Sequence, residues 1–170
     1  TQLATNPCVT GDTNVAVADG RQSVPIEELV DEDNVPIYTR NEDNNVEVSL
    51  ATNIRKTRED AELVSIETDG DAELTLTPDH PVWTRNRGWV DAGDLREGDS
   101  LHMLYEGFHN SGYNSVYWTS CDSQWNLEHR MVAEGILDMD ITDMNVHHVN
   151  EDKVDNRPEN LELIDPAEHG

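Results

Sequence analysis

Short apolar stretches that alternate with polar residues recur over the first two thirds of the chain. In order they are NVAVAD, VPIYTR, VEVSLATNIRKT, AELVSIETD, AELTLT, PVWT and DSLHML, and turn signals such as Gly20 and Asp69-Gly70 separate them. Alternation with a period of two places one side of a stretch on a core and the other side in solvent, which is typical of β-strands. Residues 8–104 are therefore predicted to form a mainly β domain.

The pattern changes after about residue 105. Residues 105–116 are polar with scattered aromatic side chains and are predicted to be a connector, and SQWNLEHRMVAEGI then has apolar residues at near-helical spacing. NVHHV and LELI indicate two short strands around a turn-rich segment. DPAEHG opens like a helix, with Asp165 as the amino-terminal cap and Pro166 in the first helical position. Residues 117–170 are therefore predicted to form a small α+β domain.

The chain is strongly acidic. Its 170 residues include 36 acidic and 11 basic side chains, which gives a formal net charge of -25. Such a surface repels itself and repels DNA at low ionic strength, so the charge predicts a salty cytoplasm that screens carboxylates, as in a halophilic archaeon. An acidic disordered chain is the alternative, but 35% hydrophobic residues and four tryptophans argue against it.

The two cysteines, Cys8 and Cys121, are too few for a disulfide framework, and no signal peptide begins the sequence. No apolar run approaches the roughly 18 residues that cross a bilayer. We therefore expect a cytoplasmic protein without a membrane partner.

The carboxy-terminal part carries a recognisable motif. NLEHRMVAEG followed by VHHVNEDKVDNRPENLELIDPAEH resembles the HNH homing endonucleases, over roughly residues 117–169. The resemblance implies a ββα-metal domain that hydrolyses phosphodiester bonds of double-stranded DNA. It makes His148 the general base, gives one divalent ion, Mg²⁺ or Mn²⁺, to His147 and His169, and makes Asn160 the residue that fixes the hairpin.

These roles agree with general chemistry, because a neutral histidine is a suitable base near neutral pH and a metal ion offsets developing negative charge. Adjacent residues of a regular strand point to opposite faces, so His147 and His148 serve one site only if the strand ends or bulges there. The alternative is that the histidines merely cap a hairpin. Arg130, Lys153 and Arg157 are candidate DNA contacts, and each is equally well read as a solvated surface charge.

The β-rich part carries a second motif set. CVTGDTNV, LTLTPDHPVWT and GWVDAGDLREGD, in this order, resemble the amino-terminal splicing blocks of inteins, whose Hint fold is shared with hedgehog autoprocessing domains. The resemblance covers residues 8 to about 104. It implies that the Cys8 thiol attacks the carbonyl of Pro7 to form a thioester, that His80 protonates the departing amide nitrogen, and that Thr77 orients the scissile peptide.

A thiol suits this step because it is nucleophilic near neutral pH and leaves readily. The alternative is that Cys8 and His80 are ordinary core residues. Homing nucleases are commonly inserted in inteins, so the two resemblances support each other.

On this interpretation residues 1–7 belong to a host extein protein, and ATNP resembles a segment of ribonucleotide reductases. HNS at residues 109–111 is rejected as a splice junction because no carboxy-terminal intein block precedes it. The Hint fold is therefore expected to be incomplete at its carboxy-terminal end, with a complementary carboxy-terminal intein segment as partner. Two functions remain open: a splicing element with an HNH nuclease, or a catalytically degenerate remnant or split-intein half that acts only by association.

Overall fold

The computed structural model describes residues 7–43, 45–102, 104–118, 126–137 and 139–166. Within these ranges the chain is mainly β, which confirms the mainly β part of the predicted fold. A separate α+β domain at residues 117–170 remains a prediction. In the described residues, no helix has the length and apolar character needed to span a membrane.

The strands are short and follow one another along the chain. They are β1 Asn14–Ala16, β2 Ser23–Pro25, β3 Val35–Arg40, β4 Val46–Ala51, β5 Val64–Glu67, β6 Glu73–Leu76, β7 Pro81–Thr84, β8 Gly88–Asp91, β9 Leu104–Phe108, β10 Asn114–Trp118, β11 Asn126–Leu127, β12 Asn145–His148 and β13 Leu161–Ile164. Helix α1 spans Glu128–Leu137, and single 3-10 turns occupy Ile26–Leu29, Ala92–Asp94 and Pro158–Asn160.

Most strands pair with their neighbour in sequence. The pairs are β1–β2, β3–β4, β5–β6, β7–β8 and β12–β13, and β9, β10 and β11 form a three-stranded sheet with β10 in the centre. The predicted stretch VPIYTR is β3 itself, and PVWT is β7. Local alternation and turn residues therefore located these hairpins correctly.

The predicted connector contains a β-hairpin. Within residues 105–116, most of β9 pairs with the start of β10, with Asn114 opposite Phe108. The turn is closed by the His109 amide, which donates to the Tyr113 carbonyl at 2.8 Å, and Gly112 has φ +90°. The sequence did not predict these strands because polar residues at an exposed hairpin conceal the alternation, and glycine supplies the left-handed turn conformation.

The described chain divides into two compact units. The first comprises Thr1–Asn14, Pro25–Asp31 and Ile54–His102, and the second comprises Val15–Val24, Glu32–Asn53 and Met103–Gly170. Each unit combines several separate segments of the sequence. The boundaries predicted at residues 8, 105 and 117 instead divide the chain into consecutive segments according to their motifs. The motif boundaries remain a prediction.

The second unit has a hydrophobic core around α1. Met131 and Val132 of the helix are buried with Val46 and Val48 of β4 and with Val116 of β10. Gly135 lies against β4 so closely that an added Cβ would overlap the Val48 carbonyl. The helix therefore sits on the sheet at a distance that only glycine permits.

Candidate functional site

The amino-terminal segment of the first unit lies along β6. Val9 forms an antiparallel bridge with Leu76, and the Thr77 amide donates to the Cys8 carbonyl at 2.9 Å. The Thr10 amide donates to the Thr75 carbonyl at 3.2 Å. This pairing places Cys8 beside the end of β6, where the TPDH motif begins.

Thr77 contacts the peptide bond that precedes Cys8. The Cys8 amide nitrogen donates to Thr77 Oγ1 at 3.0 Å, and Thr77 is fully buried. That amide belongs to the Pro7–Cys8 bond, so the structure brings together the predicted nucleophile, the predicted cleavage site and one predicted orienting residue. A buried hydroxyl with a hydrogen-bond partner holds the plane of this peptide in one orientation.

His80 follows in a tight turn after Thr77. Its amide donates to the Thr77 carbonyl at 3.0 Å, and its own carbonyl accepts from the Ala92 amide at 2.9 Å. Burial lowers the pKa of His80, while a hydrogen bond with the Cys8 backbone and the Asp79 carboxylate oppose that shift. His80 Nδ1 is buried without a hydrogen-bond partner in the described part of the chain. Burial therefore favours the neutral ring, which lies close to the Cys8 backbone.

Two further residues beside this cysteine escaped the sequence analysis. Thr57 Oγ1 lies 3.0 Å from Cys8 Sγ, and the neighbouring Arg58 guanidinium lies 3.8 Å from the Asp79 carboxylate. A hydrogen bond from the Thr77 hydroxyl, above all, lowers the pKa of Asp79. Thr57 ends the stretch VEVSLATNIRKT, which alternation predicted as one strand, but β4 ends at Ala51 and the residues from 52 to 63 are irregular. Alternation therefore gave no signal for the contacts of Thr57 and Arg58.

The second unit contains a buried polar cluster centred on Glu128, the first residue of α1. The Glu128 carboxylate accepts hydrogen bonds from the Tyr38 hydroxyl, from Asn114 Nδ2 at 3.0 Å and from Asn156 Nδ2 at 2.5 Å. Burial, with the adjacent Glu128 carboxylate, raises the pKa of Tyr38. Glu128 lies on the same helix face as the apolar Met131 and Val132. A charged residue on an apolar helix face needs buried polar partners, so this pattern in the sequence could have indicated the cluster.

His148 is part of this cluster. Its Nε2 lies 2.8 Å from Asn156 Oδ1, and both side chains are buried. The His148 ring centroid is 5.2 Å from that of His129 and 5.8 Å from that of Tyr113. The predicted base is therefore held on one ring edge by Asn156 and packed against two aromatic rings.

His147 lies on the other face of β12. It is exposed opposite Glu162, while His148 is opposite Leu161 and buried, and the pairing is regular to the end of the strand. The structure therefore does not bring the two histidines to one point. His169 lies outside the described residues, and no cluster of three or more histidine, cysteine or acidic side chains among those described is arranged to hold a metal ion.

Asn160 closes the loop between β12 and β13. Its Oδ1 accepts from the Asn150 amide at 3.0 Å, and its Nδ2 donates to Asn150 Oδ1 at 2.9 Å and to the Asp155 carbonyl at 2.7 Å. Asn160 therefore connects Asn150 and Asp155 of this loop to the residues that precede β13, and its role in a nuclease remains a prediction.

The three candidate DNA contacts are each engaged by protein groups. Arg130 donates to the carbonyls of Ile141 and Met144, at 2.8 and 3.0 Å. Lys153 donates to the Ser111 carbonyl at 3.2 Å and lies 4.8 Å from the Tyr113 ring centroid. Arg157 forms two 2.7 Å hydrogen bonds to the Asp155 carboxylate. A phosphate would have to compete with these partners.

The chain matches proteins of known sequence over most of its length. Residues 15–165 match the model of the intein splicing domain family. The chain is 32% identical, over 95% of its length, to a part of a DNA gyrase subunit from Synechocystis sp.. A stretch of 60 residues, 35% of the chain, is 39% identical to a probable translation initiation factor IF-2 from Pyrococcus furiosus. The chain spans only 16% of the first protein and 6% of the second.

Two solved structures have a similar fold. One is a variant of the Ssp DnaB mini-intein, with a TM-score of 0.51 and 20% identity over 74% of this chain and 76% of that one. The other is a DnaB intein from Synechocystis sp., with a TM-score of 0.50 and 18% identity over 72% and 76% of the two chains. This likeness shows a mainly β, Hint-like intein fold, and together with the family match it means that the chain belongs to the intein splicing domain family.

Proposed function

We propose that this intein domain performs an N–S acyl shift at Cys8, the first step of protein splicing. One observation carries the proposal: the amide nitrogen of the Pro7–Cys8 bond donates to the buried Thr77 hydroxyl at 3.0 Å, while Cys8 is itself the residue whose thiol would attack that bond. Cys8 thus supplies the nucleophile, and Thr77, which is hydrogen-bonded to Cys8, orients the peptide bond that the nucleophile attacks.

The step balances with the residues present. Cys8 Sγ attacks the Pro7 carbonyl carbon, a carbon–sulfur bond forms, and the carbon–nitrogen bond of the peptide breaks. The lowered pKa of His80 leaves its ring neutral, so it accepts the thiol proton and then delivers a proton to the departing amide nitrogen. Thr77 holds the scissile peptide throughout.

Mass spectrometry of the chain in multimolar KCl, with and without dithiothreitol, tests the proposal. Thiol attack on the thioester would release residues 1–7, TQLATNP, as a dithiothreitol thioester and leave a chain that begins at Cys8. The Cys8→Ala variant must not release the peptide. An intact mass under all conditions would favour the alternative function, a degenerate or split element that acts only by association.

The later steps of splicing require chemical groups other than those that carry out the acyl shift. We propose a complementary carboxy-terminal intein segment and a host extein protein as partners, with ribonucleotide reductase as the host on the strength of ATNP alone. Addition of a synthetic carboxy-terminal intein segment to a chain that fails to cleave would distinguish a missing partner from a dead site.

A second function is proposed for the second unit: HNH-type hydrolysis of double-stranded DNA. It is supported by the motif, by the β12–β13 hairpin that Asn160 closes, and by the buried His148 beside Asn156. His148 would act as base, and Arg130, Lys153 and Arg157 would contact DNA. The described residues do not by themselves make a metal site. A divalent ion, Mg²⁺ or Mn²⁺, on His147 and His169 would supply charge neutralisation.

Nicking of supercoiled plasmid DNA by the full chain, in Mg²⁺ or Mn²⁺ and again in EDTA, tests the nuclease. We expect metal-dependent nicking that His147→Ala abolishes. Because His147 is exposed, this variant should fold as the parent does, which circular dichroism would verify. Equal nicking by parent and variant would reject the assigned role.

We further propose that the chain works in a salty cytoplasm, as in a halophilic archaeon, because its net charge is -25. Screening at about 1 M salt shortens the Debye length to about 3 Å, which relieves repulsion among carboxylates. The thermal midpoint should rise between 0.1 and 1 M KCl and rise equally with tetramethylammonium chloride. A midpoint independent of salt would contradict the proposal.

A further inference from the structure

We propose that Thr57 is a positioning residue for the Cys8 nucleophile: its hydroxyl holds the thiol at the scissile peptide. The inference rests on the proposed acyl shift and adds a residue to it. Thr57 Oγ1 lies 3.0 Å from Cys8 Sγ, within the distance of a hydrogen bond to sulfur. A thiol is a weak donor and a weak acceptor, so a hydroxyl partner matches it in either direction.

The Thr57 hydroxyl restrains the Cys8 sulfur, whereas Thr77 restrains the Cys8 backbone. Thr77 binds the backbone of Cys8 through its own amide and hydroxyl, and neither of these contacts involves the sulfur. Thr57 contacts the sulfur itself. Attack on the preceding carbonyl requires one staggered rotamer, and a hydrogen bond to Sγ favours one of the three.

The residues next to Thr57 form ion pairs, one of which reaches the motif that contains Thr77 and His80. Arg58 lies 3.8 Å from the carboxylate of Asp79, a residue between Thr77 and His80 in the motif. Lys56 pairs with Glu59 at 3.0 Å within the segment. The adjacent Thr57 and Arg58 thus contact the nucleophile and the TPDH turn respectively, and the segment links the two within the first unit.

As the thiol proton leaves, negative charge develops on sulfur. A hydroxyl that accepts from the thiol in the resting state can rotate and donate to the thiolate, and hydrogen bonds to charged groups are stronger than neutral ones. Thr57 would therefore stabilise the Cys8 thiolate as well as the rotamer from which it attacks. Serine preserves this function, whereas the isosteric valine removes it.

The test compares Thr57→Val, Thr57→Ser and Thr52→Val by the rate of thiol-dependent release of TQLATNP. Thr52 is the matched control because it is exposed and follows β4, as Thr57 is exposed in the same irregular stretch. We expect Thr57→Val to slow release about tenfold, the effect of one hydrogen bond to a charged group, and the other two variants to match the parent. Equal rates for all variants, with an active parent, would overturn the inference.

A second readout does not depend on cleavage. The infrared S–H stretching band of Cys8, recorded in a Cys121→Ser background so that Cys8 is the only thiol, reports hydrogen bonding of that thiol. The band should move to higher wavenumber in Thr57→Val and stay in place in Thr57→Ser and Thr52→Val. If the parent does not cleave but the band moves, the contact stands independently of the proposed acyl shift. An unmoved band would reject a hydrogen bond from the thiol to Thr57 in the resting state.

Discussion

Nε2 of His148 lies 2.8 Å from Oδ1 of Asn156 in the buried cluster of the second unit. The orientation of the Asn156 amide is determined by Glu128, because a carboxylate only accepts and Asn156 Nδ2 donates to it at 2.5 Å. The amide oxygen must therefore face His148, and Nε2 carries the proton. Nδ1 is then the nitrogen of His148 that would act as the base in the proposed nuclease.

This assignment predicts the tautomer of His148. Long-range nitrogen–proton NMR correlation spectra of the chain should show His148 as the Nε2–H form. A spectrum of the Nδ1–H form would mean that the amide of Asn156 is turned over and that Glu128 does not orient it.

The same contacts make Asn156 important for stability. Asn156→Leu leaves Glu128 with one donor fewer and removes the partner of His148 Nε2, at a site that is fully buried. We expect the free energy of unfolding to fall by about 3 kcal/mol, measured by urea denaturation. Asn145→Leu, at an exposed position of β12, should change it by no more than about 0.5 kcal/mol. Similar losses for both variants would contradict the proposed importance of the cluster.

Thr77→Val should slow the acyl shift strongly. Valine has the shape of threonine but cannot accept the hydrogen bond from the Cys8 amide. The rate of thiol-dependent peptide release should fall about 100-fold, as for loss of a group that acts on the reacting bond, and Thr77→Ser should recover most of it. The measurement is a mass-spectrometric time course. A Thr77→Val rate within twofold of the parent would remove Thr77 from the mechanism.

His129 should make stability depend on pH. Burial, with smaller effects of His148 and Arg130, lowers the pKa of His129 to about 4. An unfolded histidine titrates near pH 6.5, so between the two values the unfolded chain binds more protons. With respect to His129, the folded chain is most stable above pH 6.5. Its free energy of unfolding falls as the pH decreases from 6.5 towards 4.

His129→Phe keeps a ring against Tyr113 but does not titrate. Urea denaturation between pH 7 and 4 should show the parent losing on the order of 2 kcal/mol more than the variant. Parallel pH curves would show that His129 is not buried in the neutral form.

Gly135→Ala should be destabilising, although alanine usually favours a helix by about 1 kcal/mol over glycine. The new Cβ would overlap the Val48 carbonyl, so α1 would have to move from β4. We expect a loss of about 3 kcal/mol by urea denaturation. Gly70→Ala, where the nearest atom would be Thr68 Oγ1 at 3.9 Å, is the control and should have little effect. If Gly135→Ala is as stable as the parent, the helix does not pack on β4 at this distance.

Much of the β architecture could be predicted because hairpins are local. The alternation in VPIYTR and PVWT and the turn residues between strands are properties of a few consecutive residues, and β3 and β7 follow them. The Thr-x-x-His pattern likewise led to the residues that lie beside Cys8. The hairpin of β9 and β10 was missed because its turn is polar and its apolar pattern is short.

The remaining features depend on contacts between distant residues. Thr57 meets Cys8 across 49 positions, and Tyr38 meets Glu128 across 90. Neither pair has a periodic signature, since a hydrogen bond between distant side chains depends on where the backbone folds.

By itself, the sequence determined the mainly β class, the acidic surface, the intein motifs and the candidate nucleophile Cys8, because composition, alternation and motif order are properties of neighbouring residues. Only the tertiary structure decided that the Cys8 amide meets Thr77, that Thr57 contacts the sulfur, and that His147 is exposed while His148 is buried. The physical reason is that burial and hydrogen-bond partners are set by packing, which brings together groups that the chain keeps far apart.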